Sequence, residues 1–239
     1  SLHRMEDLSV ILPTYNENHE ILNPIVKELE GLGIEVIVVD DGSKNPYPKS
    51  IKHGVNFGYG GALLTGIKNA TRPLVLTMDS DGQHSPGDVV NLYVAWLMMK
   101  NVDLLIGSRR LKHERWYRMG VRKCLNWLAS IVTGTYLQDL NSGMRMFKRD
   151  VAIGYAPILC RQFSFTTSLT ISMMCDGYRV ESFPINVEDR KYGGSKVRLL
   201  RDGLVTLWYI VYLGIVLRTR KLRAFLRGLR GIKENPVHG

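Results

Sequence analysis

Four apolar runs constrain the fold of this chain more than any other feature of its sequence. Each is five or six residues long and rich in Val, Ile and Leu, and they span residues 8–12, 34–39, 74–78 and 102–106. Segments with apolar residues at helical spacing separate them. Apolar strands that alternate with helices are typical of a parallel sheet covered on both faces. The sequence therefore predicts an α/β fold with a mostly parallel central sheet flanked by helices.

The size and charge of the chain narrow the choice of partners. With 239 residues, 45% of them apolar, the chain is long enough to bury a core as one domain. Its net charge of +10 is concentrated at one end, where residues 218–239 contain seven basic side chains and one acid. Such an excess favours nucleic acid, anionic lipid or a phosphorylated substrate. No nucleic-acid-binding motif accompanies it, so we expect no nucleic acid partner.

Polar side chains follow three of the apolar runs. Asp40-Asp41 ends the second run, Asp79-Ser80-Asp81 follows the third, and Arg109 follows the fourth. Parallel strands end at one edge of a sheet, where α/β proteins bind their ligands. Two carboxylates one residue apart at such an edge, with Gln83 behind them, suit a divalent cation that holds a phosphorylated ligand. A solvated turn is the alternative for the carboxylate pair taken alone.

The C-terminal part predicts contact with a membrane surface. Residues 204–217 carry no charge and include Trp208 and Tyr212. As a helix this stretch spans about 21 Å, less than the roughly 30 Å hydrocarbon core of a bilayer. A basic amphipathic pattern follows it, and helices of that kind lie on membranes rather than cross them. We therefore expect C-terminal amphipathic membrane-associated helices, with a core helix and a solvated tail as the alternative.

The cysteines and the first residues predict a compartment. Cys124, Cys160 and Cys175 form no CxxC pair and lie among apolar neighbours, as in proteins of reducing compartments. No signal-peptide pattern is visible in the first residues. With the basic C-terminal end, these features predict a location on the cytoplasmic face of a membrane, peripheral or anchored through the C-terminal segment.

Seven sequence blocks occur in order between residues 8 and 196. They are Pro13–Glu17, Val38–Ser43, Asn56 with Gly58 and Gly60-Gly61-Ala62, Asp79–His84, Gly107-Ser108-Arg109, Asp139 with Ser142-Gly143 and Arg145, and Arg190 with Ser195-Lys196. This order resembles glycosyltransferase family two, and most closely its dolichol-phosphate mannose synthase branch. The resemblance implies a GT-A domain over residues 1–196, with a donor half of about 1–110 and an acceptor half of about 111–196. Residues 197–239 would form an amphipathic, basic membrane-interface segment.

The resemblance also implies roles for individual residues. The nucleotide sugar would be bound by Pro13, Tyr15, Glu17, Asp40 or Asp41, Gly58, Asp79, Arg122 and Ser195. A Mg²⁺ or Mn²⁺ ion would be bound by Asp79, Asp81 and Gln83, whereas His84 is expected to be an ordinary turn histidine. The catalytic group would comprise Asp139, Arg109, Arg190 and Lys196. Glycines 58, 60 and 61 would let the backbone approach the ligand closely.

The activity that the resemblance implies is inverting, metal-dependent transfer of a hexose from a nucleotide sugar. The favoured version moves mannose from GDP-mannose to a polyprenyl or dolichyl phosphate. A phosphate acceptor is largely dianionic at neutral pH and needs no general base, and the surplus of cationic side chains also favours it. The alternative acceptor is a hydroxyl of a lipid-linked glycan, for which Asp139 is the candidate general base. A non-catalytic sugar-nucleotide sensor or membrane scaffold is a further hypothesis.

Overall fold

The computed structural model describes residues 5–109, 116–135, 139–140, 142–185, 203–217 and 219. In these parts of the chain seven strands form one sheet, in the order β3-β2-β1-β4-β6-β5-β7. The strands are β1 (Leu8–Thr14), β2 (Glu35–Asp40), β3 (Ile51–Lys52), β4 (Leu74–Thr77), β5 (Leu104–Arg109), β6 (Arg145–Lys148) and β7 (Val180–Ile185). The helices are α1 (His19–Gly31), α2 (Tyr59–Asn69), α3 (Pro86–Met98), α4 (Trp116–Thr133), α5 (Arg149–Tyr155), α6 (Phe165–Cys175) and α7 (203–217).

Most of the sheet is parallel, as predicted. β1 pairs in parallel with β2 and β4, β2 with β3, and β5 with β7. β6 is the exception, because it lies antiparallel between β4 and β5. The C-terminal ends of β1, β2, β4 and β5 therefore share one edge of the sheet, and the N-terminal end of β6 lies among them.

Helices cover both faces of the sheet and divide the core in two. On one face α2, α4, α5, α6 and α7 bury residues that include Ile67, Leu125 and Phe165. On the other face α1 and α3 bury residues that include Leu22 and Val89. This burial on both sides explains why the strands are apolar runs rather than alternating ones.

A capping box at Ser85 determines where the turn after β4 ends. Ser85 Oγ accepts a hydrogen bond from the Asp88 backbone N–H at 3.2 Å, and Asp88 Oδ2 accepts from the Ser85 backbone N–H at 2.9 Å. Pro86 occupies the start of α3, where its missing N–H costs nothing. The carboxylate-bearing turn is thus held between the end of β4 and a well-capped helix.

Helix α7 is half buried in the core. Ile210, Leu213 and Leu217 are at most 1% exposed, and Thr206 Oγ1 lies 2.8 Å from Ser164 Oγ near the start of α6. Among the described residues, no helix combines the length and the apolar character needed to cross a bilayer. Residues 218 and 220–239, which carry most of the predicted basic pattern, lie outside the described part of the chain.

Candidate active site

A cavity of about 420 Å³ opens at the edge where the parallel strands end. Its walls come from the segments that follow β1, β2 and β4, from the start of α2 and from the loop before α6. The lining residues are Pro13, Thr14, Tyr15, Glu17, Asp41, Asn56, Gly58, Tyr59, Ala62, Asp79, Ser80, Asp81, Gln162 and Phe163. Seven of the residues predicted to bind nucleotide sugar or metal are therefore brought together in one cavity: Pro13, Tyr15, Glu17, Asp41, Gly58, Asp79 and Asp81.

The turn after β4 is fixed by its own side chains. Ser80 Oγ donates to the Pro13 carbonyl at 2.7 Å, which ties the turn to the end of β1. Asp81 Oδ1 accepts the Gln83 backbone N–H at 3.1 Å, and Gly82 between them has φ +78°, a value that favours glycine. Asp81 is thereby oriented by the backbone that follows it.

Asp79 takes its orientation from residues outside the turn. The Tyr59 hydroxyl donates to Asp79 Oδ1 at 2.8 Å. Gly143 also packs against this carboxylate, and a Cβ at that position would lie 2.5 Å from Oδ2 and 2.6 Å from Oδ1. The Gly143 carbonyl in turn accepts from Thr77 Oγ1 at 2.8 Å, so this glycine and the end of β4 are locked together.

Asp79 and Asp81 are the side chains that could hold a metal ion. Both line the cavity, and carboxylate oxygens are the ligands that Mg²⁺ and Mn²⁺ prefer. Within the described residues, no group of three His, Cys, Asp or Glu is close enough to enclose a cation. The donor set therefore fits an ion that takes its remaining ligands from a bound diphosphate and water. His84 is buried, and its Nδ1 has no hydrogen-bond partner among the described residues.

The two carboxylates after β2 have different surroundings, and Asp40 does not fit its predicted role. Asp40 is 1% exposed; its Oδ1 accepts the Ser43 backbone N–H at 2.8 Å and its Oδ2 accepts that of Tyr47 at 3.2 Å. It closes the loop after β2 and does not line the cavity. Asp41 does line the cavity, so it is the candidate for contact with the base.

Asp41 organises the loop that leads into α2. Its Oδ1 and Oδ2 accept the backbone N–H groups of Phe57 and Gly58, each at 2.8 Å. His53 Nδ1 lies 2.7 Å from Oδ1, and His53 Nε2 lies 2.9 Å from the Thr65 hydroxyl on α2. Because these side chains hold Asp41 and the loop together, they fix the cavity wall between β2 and α2.

The glycines at the start of α2 are in close contact with another segment of the chain, and their role in close approach of a ligand stays a prediction. A Cβ on Gly60 would lie 2.8 Å from the carbonyl carbon of Arg161, and one on Gly58 would lie 2.8 Å from the Arg161 oxygen. The Gly61 backbone N–H donates to that same oxygen at 2.8 Å. The loop before α6 therefore packs directly against the backbone of α2, and this contact places Gln162 at the cavity.

Arg109 and Asp139 form a tight pair beside this edge. Arg109 Nε donates to Asp139 Oδ2 at 2.8 Å and Nη2 donates to Oδ1 at 3.0 Å, while Asp139 is 3% exposed. Burial alone would raise the pKa of Asp139, but the hydrogen bonds and charge of Arg109 outweigh it and lower the pKa. Arg109, predicted as a member of the catalytic group, thus forms an ion pair with the candidate general base.

The segment that carries Asp139 is fastened by a buried guanidinium. Arg145 is fully buried and donates to the carbonyls of Leu140, Ser142 and Thr166 and to the hydroxyl of Thr170. Burial lowers the pKa of Arg145 to about 10, so the group stays charged at neutral pH. Its charge helps to keep the Asp139 carboxyl ionised.

Comparison with known proteins identifies the family. Residues 9–155, more than half of the chain, match the model of glycosyl transferase family 2. The chain belongs to glycosyl transferase family 2. Its narrower assignment to the dolichol-phosphate mannose synthase branch stays a prediction.

Solved structures of a mycobacterial glycosyltransferase have a similar fold to this family 2 chain. One is glucosyl-3-phosphoglycerate synthase from Mycobacterium tuberculosis in complex with Mn²⁺, UDP and phosphoglyceric acid: TM-score 0.69, 17% identity, covering 89% of this chain and 80% of that one. Another is the same enzyme with Mg²⁺ and UDP: TM-score 0.66, 20% identity, covering 87% and 80%. At this identity the likeness establishes a shared, GT-A-like fold.

Some residues predicted for this family 2 glycosyltransferase cannot be placed, and others were not predicted. Arg190, Ser195, Lys196 and the side chain of Arg122 lie outside the described residues, so their roles stay predictions. Tyr59, Gln162 and Phe163 line the cavity but were not predicted. The lone aromatic between two glycines was the available signal for Tyr59, whereas nothing near a strand end pointed to the other two.

Proposed function

We propose that this chain is a metal-dependent, inverting glycosyltransferase that moves a hexose from a nucleoside diphosphate sugar to a polyprenyl or dolichyl phosphate. The observation that carries the proposal is the cavity in which Asp79 and Asp81 meet Pro13, Tyr15 and Asp41. Asp79 and Asp81, with Gln83 as a predicted third ligand, would hold Mg²⁺ or Mn²⁺. When bound, such an ion neutralises the negative charge that develops on the leaving diphosphate.

Two observations bear on the identity of the nucleotide sugar that donates the hexose. The resemblance to the dolichol-phosphate mannose synthase branch favours GDP-mannose. The mycobacterial structures hold UDP with Mn²⁺ or Mg²⁺, which supports a nucleoside diphosphate with a divalent cation and makes a UDP-hexose the alternative. In either case Asp41 would accept a hydrogen bond from an N–H group of the base.

A phosphate is the acceptor that the Arg109–Asp139 pair favours. Both oxygens of Asp139 accept hydrogen bonds from Arg109, and the lowered pKa makes this carboxylate a weak base. A hydroxyl acceptor would need a base, whereas a phosphate monoester, whose second pKa is about 6, already carries its nucleophilic oxygen as an anion.

Two neighbouring helices supply a surface that suits a lipid-linked acceptor. α7 exposes Leu204, Trp208, Val211 and Ile215, each between 49% and 67%, at three- and four-residue spacing. On α4, Trp127 is 61% and Ile131 is 55% exposed. The helices touch, since a Cβ on Gly214 would lie 3.0 Å from Val132. Exposed aromatic and aliphatic side chains of this kind mark interaction surfaces, and the basic segment that follows favours anionic lipid.

Turnover with defined donors and acceptors tests the proposed reaction. Purified protein would be supplied with GDP-mannose, UDP-glucose or UDP-N-acetylglucosamine, Mn²⁺, and either a polyprenyl phosphate, phosphoglyceric acid or a lipid-linked glycan. We expect metal-dependent transfer to the polyprenyl phosphate, abolished by Asp81→Asn and retained by Asp150→Asn on the exposed surface of α5. Transfer confined to the glycan would replace the phosphate acceptor by a hydroxyl, and absence of transfer from every donor would refute the proposal.

Vesicle binding tests the membrane surface separately. We expect the protein to co-sediment with vesicles of phosphatidylcholine and phosphatidylglycerol, and the double variant Trp127→Ser/Trp208→Ser to bind at least about tenfold more weakly. The control is Leu97→Ser/Met98→Ser, because these α3 side chains are 62% and 78% exposed but lie on another helix. Equal loss in both variants would contradict a specific surface on α4 and α7.

A further inference from the structure

The carboxylate of Asp79 is held from two sides but keeps one oxygen available. Tyr59 Oη donates to Oδ1 at 2.8 Å. The backbone of Gly143 presses on the carboxylate, with 2.5 Å between Oδ2 and the position a Cβ would take. In the described part of the chain no hydrogen-bond donor reaches Oδ2. Asp79 lines the cavity, so this oxygen is the one left for a ligand.

The aromatic ring of Tyr59 is itself fixed in place. Tyr59 is the first residue of α2 and follows Gly58, whose φ of +89° turns the chain into the helix. Its ring lies 6.0 Å from that of Phe163 at an interplanar angle of 40°, and it packs against the core on the α2 face of the sheet. The hydroxyl therefore reaches Asp79 from a rigid element rather than from a loop.

Tyr59 can act only as a hydrogen-bond donor to Asp79. A tyrosine phenol is protonated at neutral pH, and an ionised carboxylate can only accept, so the Tyr59 O–H is the donor in the 2.8 Å hydrogen bond to Asp79 Oδ1. A phenol that donates to one oxygen of a carboxylate fixes the plane of that group and leaves the other oxygen to bind a cation.

We propose that Tyr59 is a positioning residue for the metal–diphosphate site: its hydroxyl holds Oδ1 of Asp79 so that Oδ2 meets the bound divalent cation. This inference rests on the proposed function, and it assigns Asp79 to the metal rather than to the ribose. Residues that orient metal ligands in this way typically change metal affinity by about 10–100-fold when they are removed.

Calorimetric titration of UDP and GDP, with Mn²⁺ and with EDTA, tests the proposal without relying on turnover. For Tyr59→Phe we expect the Mn²⁺-dependent affinity to fall about 10–100-fold, while the affinity in EDTA is unchanged. Tyr93→Phe is the matched control, because Tyr93 Oη donates to Asp7 Oδ1 at 2.7 Å away from the cavity. We expect this control to bind as the unmodified chain does.

Two further variants keep the test decisive if Tyr59→Phe folds poorly. Gly143→Ala displaces the same carboxylate from the other side and should also lower the Mn²⁺-dependent affinity. In an Asp79→Asn background, Tyr59→Phe should add nothing, since the group it orients no longer binds the cation.

The outcomes separate this inference from the proposed function. An unmodified chain that binds neither nucleotide more tightly with Mn²⁺ refutes the proposed function itself. If the unmodified chain shows the metal effect but Tyr59→Phe matches Tyr93→Phe, the positioning role is overturned. A loss of equal size with Mn²⁺ and with EDTA also overturns it, because it would assign Asp79 to the ribose.

Discussion

Arg109 donates hydrogen bonds to both oxygens of Asp139: Nε lies 2.8 Å from Oδ2 and Nη2 lies 3.0 Å from Oδ1. Two parallel charge-assisted bonds fix the plane of the carboxylate and neutralise much of the guanidinium charge. The two residues are therefore coupled. A phosphate that binds the Arg109 guanidinium would weaken the hydrogen bonds between Arg109 and Asp139. Substitution of Asp139 can therefore distinguish a phosphate acceptor from a hydroxyl acceptor.

Replacing Asp139 by asparagine distinguishes the two acceptor chemistries. Loss of a general base costs about 10²–10⁴-fold in rate, whereas a phosphate acceptor needs no base. We expect Asp139→Asn to reduce turnover with polyprenyl phosphate by less than about tenfold, with an unchanged KM for the donor. Steady-state kinetics would measure this, with Asp150→Asn as the control. A fall of about 10² or more with donor binding intact would contradict it.

Acid stability should depend on the Asp139 carboxyl. Its pKa is lowered in the folded state from an ordinary value of 3.8, so below 3.8 the unfolded chain binds a proton that the folded chain does not. The stabilisation is present above pH 3.8 and is lost as the pH falls through the folded-state pKa. Urea unfolding between pH 2 and 6 should show a shallower acid dependence in Asp139→Asn than in the unmodified chain. The same slope in the two proteins would refute this assignment.

Adding a methyl group at Gly60 should destabilise the fold and disturb the cavity. Its Cβ would meet the backbone of the loop before α6, 2.8 Å from the Arg161 carbonyl carbon, and backbone cannot move aside easily. We expect Gly60→Ala to lower the free energy of unfolding by about 1–3 kcal/mol. The control is Gly154→Ala on α5, where nothing lies within 4 Å; it should gain about 0.5–1 kcal/mol. Chemical denaturation would measure both, and equal effects would contradict this packing argument.

Removing the guanidinium of Arg145 should lower the free energy of unfolding. Arg145→Met leaves the buried Ser142 carbonyl without its donor and removes one of two donors from the carbonyls of Leu140 and Thr166. Hydrogen bonds to a charged group contribute about 1.5–3 kcal/mol, so we expect a loss of at least about 1.5 kcal/mol in urea unfolding. Arg179→Met removes an exposed partner of Glu181 and should cost less than about 1 kcal/mol. A mild effect of Arg145→Met would show that the segment carrying Asp139 is held by other contacts.

The strand ends could be predicted from sequence because their signals are local. An apolar run and the polar residues that follow it can be recognised within a short stretch of sequence. Parallel pairing of the strands then brings Asp41, Asp79 and Pro13 to one edge of the sheet. The glycines at the start of α2 were harder to interpret. Close approach of a ligand and close approach of another chain segment both require glycine, and the sequence does not show that the Arg161 backbone packs here.

The remaining features depend on contacts between distant residues. Tyr59 and Asp79 are 20 positions apart in the sequence, and Arg109 and Asp139 are 30 apart. No local sequence pattern therefore predicts either contact. Asp40 and Asp41 look equivalent in the sequence and both accept backbone N–H groups, but of the two it is Asp41 that lines the cavity. The direction of β6 could not be predicted either, because a four-residue strand carries no information about its neighbours.

The position of β6 has a consequence for how the chain acquires its structure. β4 and β5 are consecutive in sequence, yet they are joined only through a strand that begins at Arg145. A chain synthesised only as far as Arg109 would expose unpaired edges on both strands, and such edges invite intermolecular pairing. The pairing of β4 and β5 through β6 must wait until Lys148 has been synthesised, and the sheet is complete only after β7, which ends at Ile185. A donor half cut at residue 110 is therefore a poor choice for independent expression.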